Sequence, residues 1–384
     1  MSVSPFFLTW FVTPIDFLLP VSITLFLLPG LDPGLSTIPV FIWLFINFQI
    51  SKQSQRFFAL PLIFALLFSA HSLFVNSAPH PVSITDALLF AVALGSSAFV
   101  NTHRWKRIFI LLPLSLLPSL SLVTSRPWIP NELAGVNQNA YLIGLASLAA
   151  FSLLFFIPKS HFLCGIAVVF LLISCSLLWM TGSRAALVSV IVSMYAGLFN
   201  KFGFRSRVVR FFTIGGALAL LILLTRTLYL YFNYPPDASP FFGSELGRLE
   251  ALKCFLKLPF SNEGNLVYGS GFESLKELCS SPVKILSSSP DHAHNLYVQV
   301  WAGSGLMGLI ALGSLAYIMC STYRALPKSA NSLIDSTWIM FLFYVGISGI
   351  FDLSYAHWPV TVFWSGLFLG MPFSGSFSKR LVDG

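Results

Sequence analysis

Between His161 and Gly182 the chain runs from Phe162 to Thr181 without a single charged side chain. At about 1.5 Å per residue, a helix of about 20 residues matches the roughly 30 Å hydrocarbon core of a bilayer. Apolar runs of this kind recur at 13–30, 36–50, 57–76, 84–100, 108–123, 139–157, 162–181, 184–200, 211–226, 304–321, 336–352 and 359–373. The first is interrupted by Pro14, Asp16 and Pro20. Only 9% of the 384 residues are charged, against roughly 25% in a soluble domain. That is too few to cover a water-facing surface, which excludes a cytosolic enzyme. Disorder is excluded as well, because disordered segments are polar and charge-rich. In lipid every backbone polar group must be satisfied within the protein, so a helix bundle or a closed barrel remains. Barrel strands are short and alternating, whereas these runs are continuous. The sequence therefore predicts an all-α polytopic membrane protein with about 12 transmembrane helices. It is read as a single integral membrane domain over 1–384, with one large extracytoplasmic loop at 227–303.

The cations sort by loop. Lys52, Arg56, Arg104, Lys106, Arg107, Lys159, Lys201, Arg205, Arg207, Arg210, Arg324, Lys328, Lys379 and Arg380 all fall on one parity of the short loops. The opposite short loops hold Arg126 and Arg184. An excess of Lys and Arg marks cytoplasmic loops, so both termini are expected in the cytoplasm and the 227–303 loop outside. If the first span is re-entrant, only the N-terminus changes side. The net charge of +8 belongs to this asymmetry and not to nucleic-acid binding. No basic stretch and small-residue site open the chain, so no cleavable signal peptide is expected. Cys164, Cys175 and Cys320 lie in apolar runs and read as core residues. Cys254 and Cys279 share the polar loop, where they can be joined or free.

Four positions on the expected outer face can carry chemistry. Gly182-Ser183-Arg184 puts an Arg at a helix N-terminus, where free N–H groups and the helix dipole favour an anion. Ser183 suits the N-cap. An interfacial Arg snorkelling to headgroups fits the same residue. Arg248 falls on the apolar stripe of a helix expected at about 244–258, with Ala251, Leu252 and Phe255, while Glu250, Lys253 and Lys257 share the opposite face. A buried Arg needs an anion: Asp352 or Glu132 within the chain, or a substrate phosphate. In Asp291-His292-Ala293-His294-Asn295 the histidines can serve as base or phosphate donor, as part of a metal site, or as interfacial residues. Gly135-Val136-Asn137-Gln138-Asn139 can cap a helix or bind sugar hydroxyls. Together these residues imply an anionic ligand, a phosphate or diphosphate at the outer leaflet.

In order along the chain, these stretches resemble one family. Asp291-His-Ala-His-Asn-Leu-Tyr-Val-Gln, running on to Gly305-Leu-Met-Gly308, is similar to the His-Asn-x-Tyr-x-Gln … Gly-Leu-x-Gly signature of the O-antigen ligase and polymerase superfamily. Thr181-Gly-Ser-Arg-Ala-Ala-Leu187 resembles its Ser-Arg-Gly-Ala segment, with Ala185 in place of the usual Gly. Gly247-Arg-Leu-Glu-Ala-Leu252 followed by Gly269-Ser-Gly-Phe272 resembles its Arg … Gly-x-Gly-x-Phe stretch, and Gly135–Asn139 its Gly-x-x-Asn-x-Asn element, with Gln138 where Pro is common. The resemblance covers roughly 135–310. It implies a C-type glycosyltransferase-like bundle in the bacterial inner membrane. Its implied activity moves a glycan from undecaprenyl diphosphate to an acceptor hydroxyl, on lipid A–core or a growing glycan, at a periplasmic site. No metal, cofactor or nucleic acid is implied. Carried over, Arg184 and Arg248 would bind the diphosphate and His294 would activate the acceptor hydroxyl. His292, Asn137, Asn139 and Asn295 would shape the site. Two other classes compete. An anion (bicarbonate) transporter would also use an Arg-lined site, although no internal repeat supports it. A structural partner in envelope assembly would need none of these residues together.

Overall fold

The computed structural model describes residues 14–50, 81–120, 136–155, 161–203, 206–207, 209–210, 213–215, 225, 251–261, 263–271, 278–279, 295–324, 332–351 and 359–374. The span expected at 57–76, most of that at 211–226, and Glu132, Arg248, His292, His294 and Asp352 lie outside the described residues.

Every regular element among the described residues is helical. The principal ones are α1 (Leu18–Leu27), α2 (Thr37–Ile50), α3 (Pro81–Ser96), α4 (Thr102–Leu114), α5 (Val136–Phe155), α6 (His161–Thr181), α7 (Arg184–Phe202), α8 (251–257), α9 (Glu263–Tyr268), α10 (Leu296–Arg324), α11 (Ser332–Phe351) and α12 (Pro359–Leu369). Four are long and apolar enough to cross a membrane: α5, α6, α7 and the Leu296–Ser321 part of α10. The protein is an all-α, multi-pass membrane protein.

Burial orders the bundle. α5 is buried from Asn139 to Leu153 on every side, as befits a central helix that is apolar all round. α6 covers it and turns Phe162, Leu172 and Trp179 outward, each more than half exposed. Such a surface suits lipid and not water. Trp105, Phe109, Phe341 and Phe368 stack in the core and join α4, α11 and α12. α12 lies against α3 at small residues: a Cβ on Gly366 or Gly370 would overlap the carbonyls of Phe90 or Leu94. Small residues at such crossings let helix backbones approach closely in a membrane.

Hydrogen bonds fix which helix ends share a pole. Lys201 Nζ, in the last turn of α7, donates to Phe155 O at the end of α5 (2.6 Å). Asn200 Nδ2 donates to Ser336 Oγ near the start of α11 (3.4 Å), and Tyr323 stacks on Trp338 at 4.5 Å. The ends of α5, α7 and α10 and the start of α11 therefore meet at one pole. α7 and α11 run antiparallel, so the start of α7 and the end of α11 meet at the other.

Three segments differ from expectation. α1 has 10 residues after a 3-10 turn at Pro14–Phe17, well short of the 13–30 span. Asp16, 1% exposed, lies in that 3-10 turn. Arg104, Lys106 and Arg107, expected in a loop, lie instead in the first turns of α4. Asn101 caps that helix by accepting from Arg104 N at 3.0 Å. The cause is a partner far away in sequence: Arg104 Nε donates to both Asp16 oxygens (3.0 and 3.1 Å), Arg107 approaches at 3.8 Å, and Trp43 Nε1 donates to the same carboxylate at 3.3 Å. A carboxylate inside a bundle is retained when cations and hydrogen bonds compensate it.

The third difference is in α10, which starts at Leu296 rather than at 304 and breaks at Gly305 (φ 57°, ψ −149°). At about 1.5 Å per residue the part after Gly305 spans roughly 28 Å, enough to cross a bilayer unaided. The part before it packs on the loop segments α8 and α9. The helical turns before the 304–321 run are thus continuous with it through one glycine of positive φ.

Candidate functional site

The pole opposite Lys201 gathers the expected site residues that are described. α6 ends at Thr181, Gly182 turns the chain with φ 75°, and Ser183 begins α7. Thr181 Oγ1 donates to Leu178 O (2.7 Å) and accepts from Ser183 N (3.2 Å). Ser183 Oγ accepts from Ala186 N (3.4 Å), which is the N-cap the sequence predicts. It also donates to Asn137 Oδ1 at 3.0 Å. The first and fourth sequence positions are thereby joined: the Asn stretch and the Ser-Arg stretch are one cluster. Arg184, at the first helical position of α7, is exposed at this pole, where the helix dipole is positive.

Asn137 and Asn139 lie inside the first turn of α5, which starts at Val136, so neither occupies the N-cap position itself. Asn137 bridges two helices. Asn139 is fully buried in the bundle.

Of the 291–299 stretch, the described residues Asn295 and Tyr297 are anchors. Asn295 Oδ1 accepts from Val298 N (3.0 Å) and caps α10, and its Nδ2 donates to Ile350 O at the end of α11 (2.9 Å). Tyr297 OH donates to Gly346 O (2.9 Å). Both acceptors lie toward the end of α11, the Ser183 pole. His294 immediately precedes this anchored turn in sequence. The Asn and Tyr of the signature therefore hold α10 to α11, a role that sequence alone does not distinguish from ligand contact.

α8 bears out its amphipathic pattern. Ala251 and Phe255 are buried, Leu252 is half-buried, and Lys253 and Lys257 are exposed. Phe255 and Ala251 form a small core with Cys279 and Ala302, flanked by Val298 and Leu258. Cys254 and Cys279 are disulfide-bonded, with Cα atoms 5.9 Å apart. Trp301 Nε1 donates to Leu256 O at 3.2 Å. The elements that follow Arg248 and His294 in sequence thus pack directly on each other.

A backbone joint completes the contact. Ser270 N donates to Ala302 O (2.8 Å) and Gly271 N to Gly303 O (3.1 Å), at the break in α10. A Cβ on Gly269 would overlap the Gly303–Ser304 peptide, and one on Gly305 would meet Gly269 N and the carbonyls of Leu266 and Val267. Gly269 and Gly305 are needed because two backbones touch there. Sequence reading missed this joint, and it missed Thr181 and Trp301 as supports. The Gly-x-Gly spacing was visible but names no partner. Among the described residues no cluster of three or more His, Cys, Asp or Glu is placed to hold a metal ion.

These features define a multi-pass helical membrane protein with an Arg at a capped helix N-terminus and a disulfide-braced loop docked at the same pole. A family model described as O-antigen ligase matches residues 168–313, which include Arg184, the loop and the break in α10. Over that stretch, which is less than half of the 384 residues, the chain is similar to the O-antigen ligase family. No curated protein gives a significant match.

Proposed function

We propose that the chain transfers a polysaccharide or oligosaccharide from an undecaprenyl-diphosphate carrier to an acceptor hydroxyl at the outer face of the bacterial inner membrane, as a ligase or a polymerase. The observation that carries this reading is Arg184, held at the first turn of a membrane-spanning helix by the Ser183 cap and the Asn137 bridge, inside the family-matched region. A diphosphate leaving group develops negative charge as its bond to the anomeric carbon breaks. A cation and a helix N-terminus directed at that charge lower the barrier. In this reading Arg184 and Arg248 bind the diphosphate. His294 takes the proton of the acceptor hydroxyl as its oxygen attacks the anomeric carbon. His292, Asn137, Asn139 and Asn295 shape the surroundings, and the acceptor is lipid A–core or another glycan. The Cys254–Cys279 bridge supports an extracytoplasmic loop, because disulfides persist in oxidising compartments.

The test is complementation of a deletion strain with wild-type, Arg184→Ala or His294→Ala protein, followed by electrophoresis of the envelope glycans. The expected result is loss of long glycan from its acceptor in both variants. Accumulation of carrier-linked polymer identifies a ligase, and single repeat units identify a polymerase. Unchanged glycans in every strain would remove the transferase reading. Uptake of labelled bicarbonate by proteoliposomes would then establish the transporter.

A further inference from the structure

We propose that Ser183 is a positioning residue that sets Arg184 for leaving-group stabilisation, acting as the pivot between α5, α6 and α7; this deepens the glycan-transfer reading and rests on it. Ser183 is 7% exposed, so its hydroxyl is not a surface group that happens to lie near the Arg. Its carbonyl accepts the ordinary helical bond from Leu187 N (3.2 Å), and its N–H and hydroxyl reach three different pieces of the fold. Its N–H is held by Thr181 Oγ1, the last residue of α6. Its Oγ takes the Ala186 N–H of α7. The same Oγ gives its proton to Asn137 Oδ1 in the first turn of α5.

The hydroxyl hydrogen can point to only one acceptor. Its donation to Asn137 leaves the oxygen lone pairs for the α7 amide, so both bonds are made at once. Three helix ends are thereby fixed around the residue bonded directly to Arg184. A cap alone would need only the Ala186 bond. The added bridge to α5, the central helix of the bundle, ties the backbone of Arg184 to the most deeply packed element of the fold. An Arg with four side-chain torsions cannot be placed accurately unless its Cα is fixed, and misplacement by about 1 Å at a reacting centre costs up to roughly a hundredfold in rate. Thr181 and Asn137 are the supports of this pivot, and neither needs to touch substrate.

The experiment uses the full chain purified in nanodiscs, with an undecaprenyl-diphosphate-linked glycan as donor. Single-turnover rates and acceptor KM are measured for wild type, Ser183→Ala, Ser183→Thr, Arg184→Ala and the Ser183→Ala/Arg184→Ala double variant, with a thermal melt for each. Ser183→Ala should lower the transfer rate roughly tenfold, with little change in acceptor KM. Ser183→Thr, which keeps an oxygen that can cap and donate, should recover most of that rate. In the Arg184→Ala background the Ser183 change should add nothing, because its effect passes through the missing guanidinium. An unchanged rate in Ser183→Ala would overturn the proposal. So would an equal further loss in the Arg184→Ala background, or a loss that follows a lowered melting temperature and that Thr does not rescue. Full activity in Arg184→Ala with a normal melt is a different failure, in which the diphosphate reading itself falls and the proposal falls with it.

Discussion

Asn295 caps α10 and ties it to α11 with one side chain, accepting from Val298 N and donating to Ile350 O. Losing an N-cap costs about 1 kcal/mol, and leaving a helix-end carbonyl without its donor adds roughly 1 kcal/mol. Asn295→Ala should therefore lower stability by about 2 kcal/mol in a detergent-solubilised thermal melt. Asn295→Asp retains the cap acceptor and loses the tie, so it should fall between the two. If Asn295 instead met only ligand, the alanine variant would melt like wild type and lose activity alone. At this scale the sequence was informative where chemistry is local. Ser183 as a cap follows from its position before an apolar run, and the structure places it there. What was not legible was the second partner of each residue. Nothing in the spacing of Asn137 and Ser183, or of Asp16 and Arg104, announces a bond, because the chain between them is folded by packing that involves every other helix.

The elements α8 and α9 are small, and their order comes from cross-links. α8 buries little more than Ala251 and Phe255, a core too slight to hold a short amphipathic segment by apolar burial alone. The Cys254–Cys279 bridge closes a loop with a sequence separation of 25 residues. Closing a loop of this order stabilises by about 3 kcal/mol in the chain-entropy view. Replacing both cysteines with serine should loosen this segment selectively. Hydrogen exchange should rise at 251–257 and stay unchanged in α5, with transfer activity reduced. Uniformly unchanged exchange would show that the Trp301 and Gly269 contacts suffice. The amphipathic stripe of α8 was readable from its 100° periodicity, and the bridge was left open because two cysteines in one loop do not fix their distance. The start of α4 was misjudged for a definite reason. A run of Arg and Lys looks like a solvated loop until Asp16 is seen to pair with Arg104 and Arg107 from a distant part of the chain.

Across the whole molecule, the helix ends sort into a pole carrying Lys201 and Arg324 and a pole carrying Ser183, Arg184 and Asn295. We propose, from charge parity, that the first faces the cytoplasm. Single cysteines placed on a background lacking Cys164, Cys175 and Cys320 test this directly. A cysteine at Glu263 should react with an impermeant maleimide in intact spheroplasts, and one at Lys201 should react only after lysis; the reverse would invert the topology. Helix character and the approximate spans of α5, α6, α7 and α10 were legible because an apolar run of bilayer length has few other uses. Depth within the bundle was not: α5 and α6 are both apolar, yet α5 is buried throughout while α6 faces outward, a difference made by their neighbours and not by their composition. The glycine joint between the 269–271 turn and the break in α10 bears on how such proteins can be recombined. Amides of the turn occupy carbonyls of the helix, and neither backbone leaves room for a side chain at the crossing. A loop transplanted from a relative to change the acceptor would arrive without its socket. The described residues of 251–271, with Cys279, pack with 295–305 as one unit, and a chimera that respects a loop boundary but divides that unit would separate a plug from the surface that receives it.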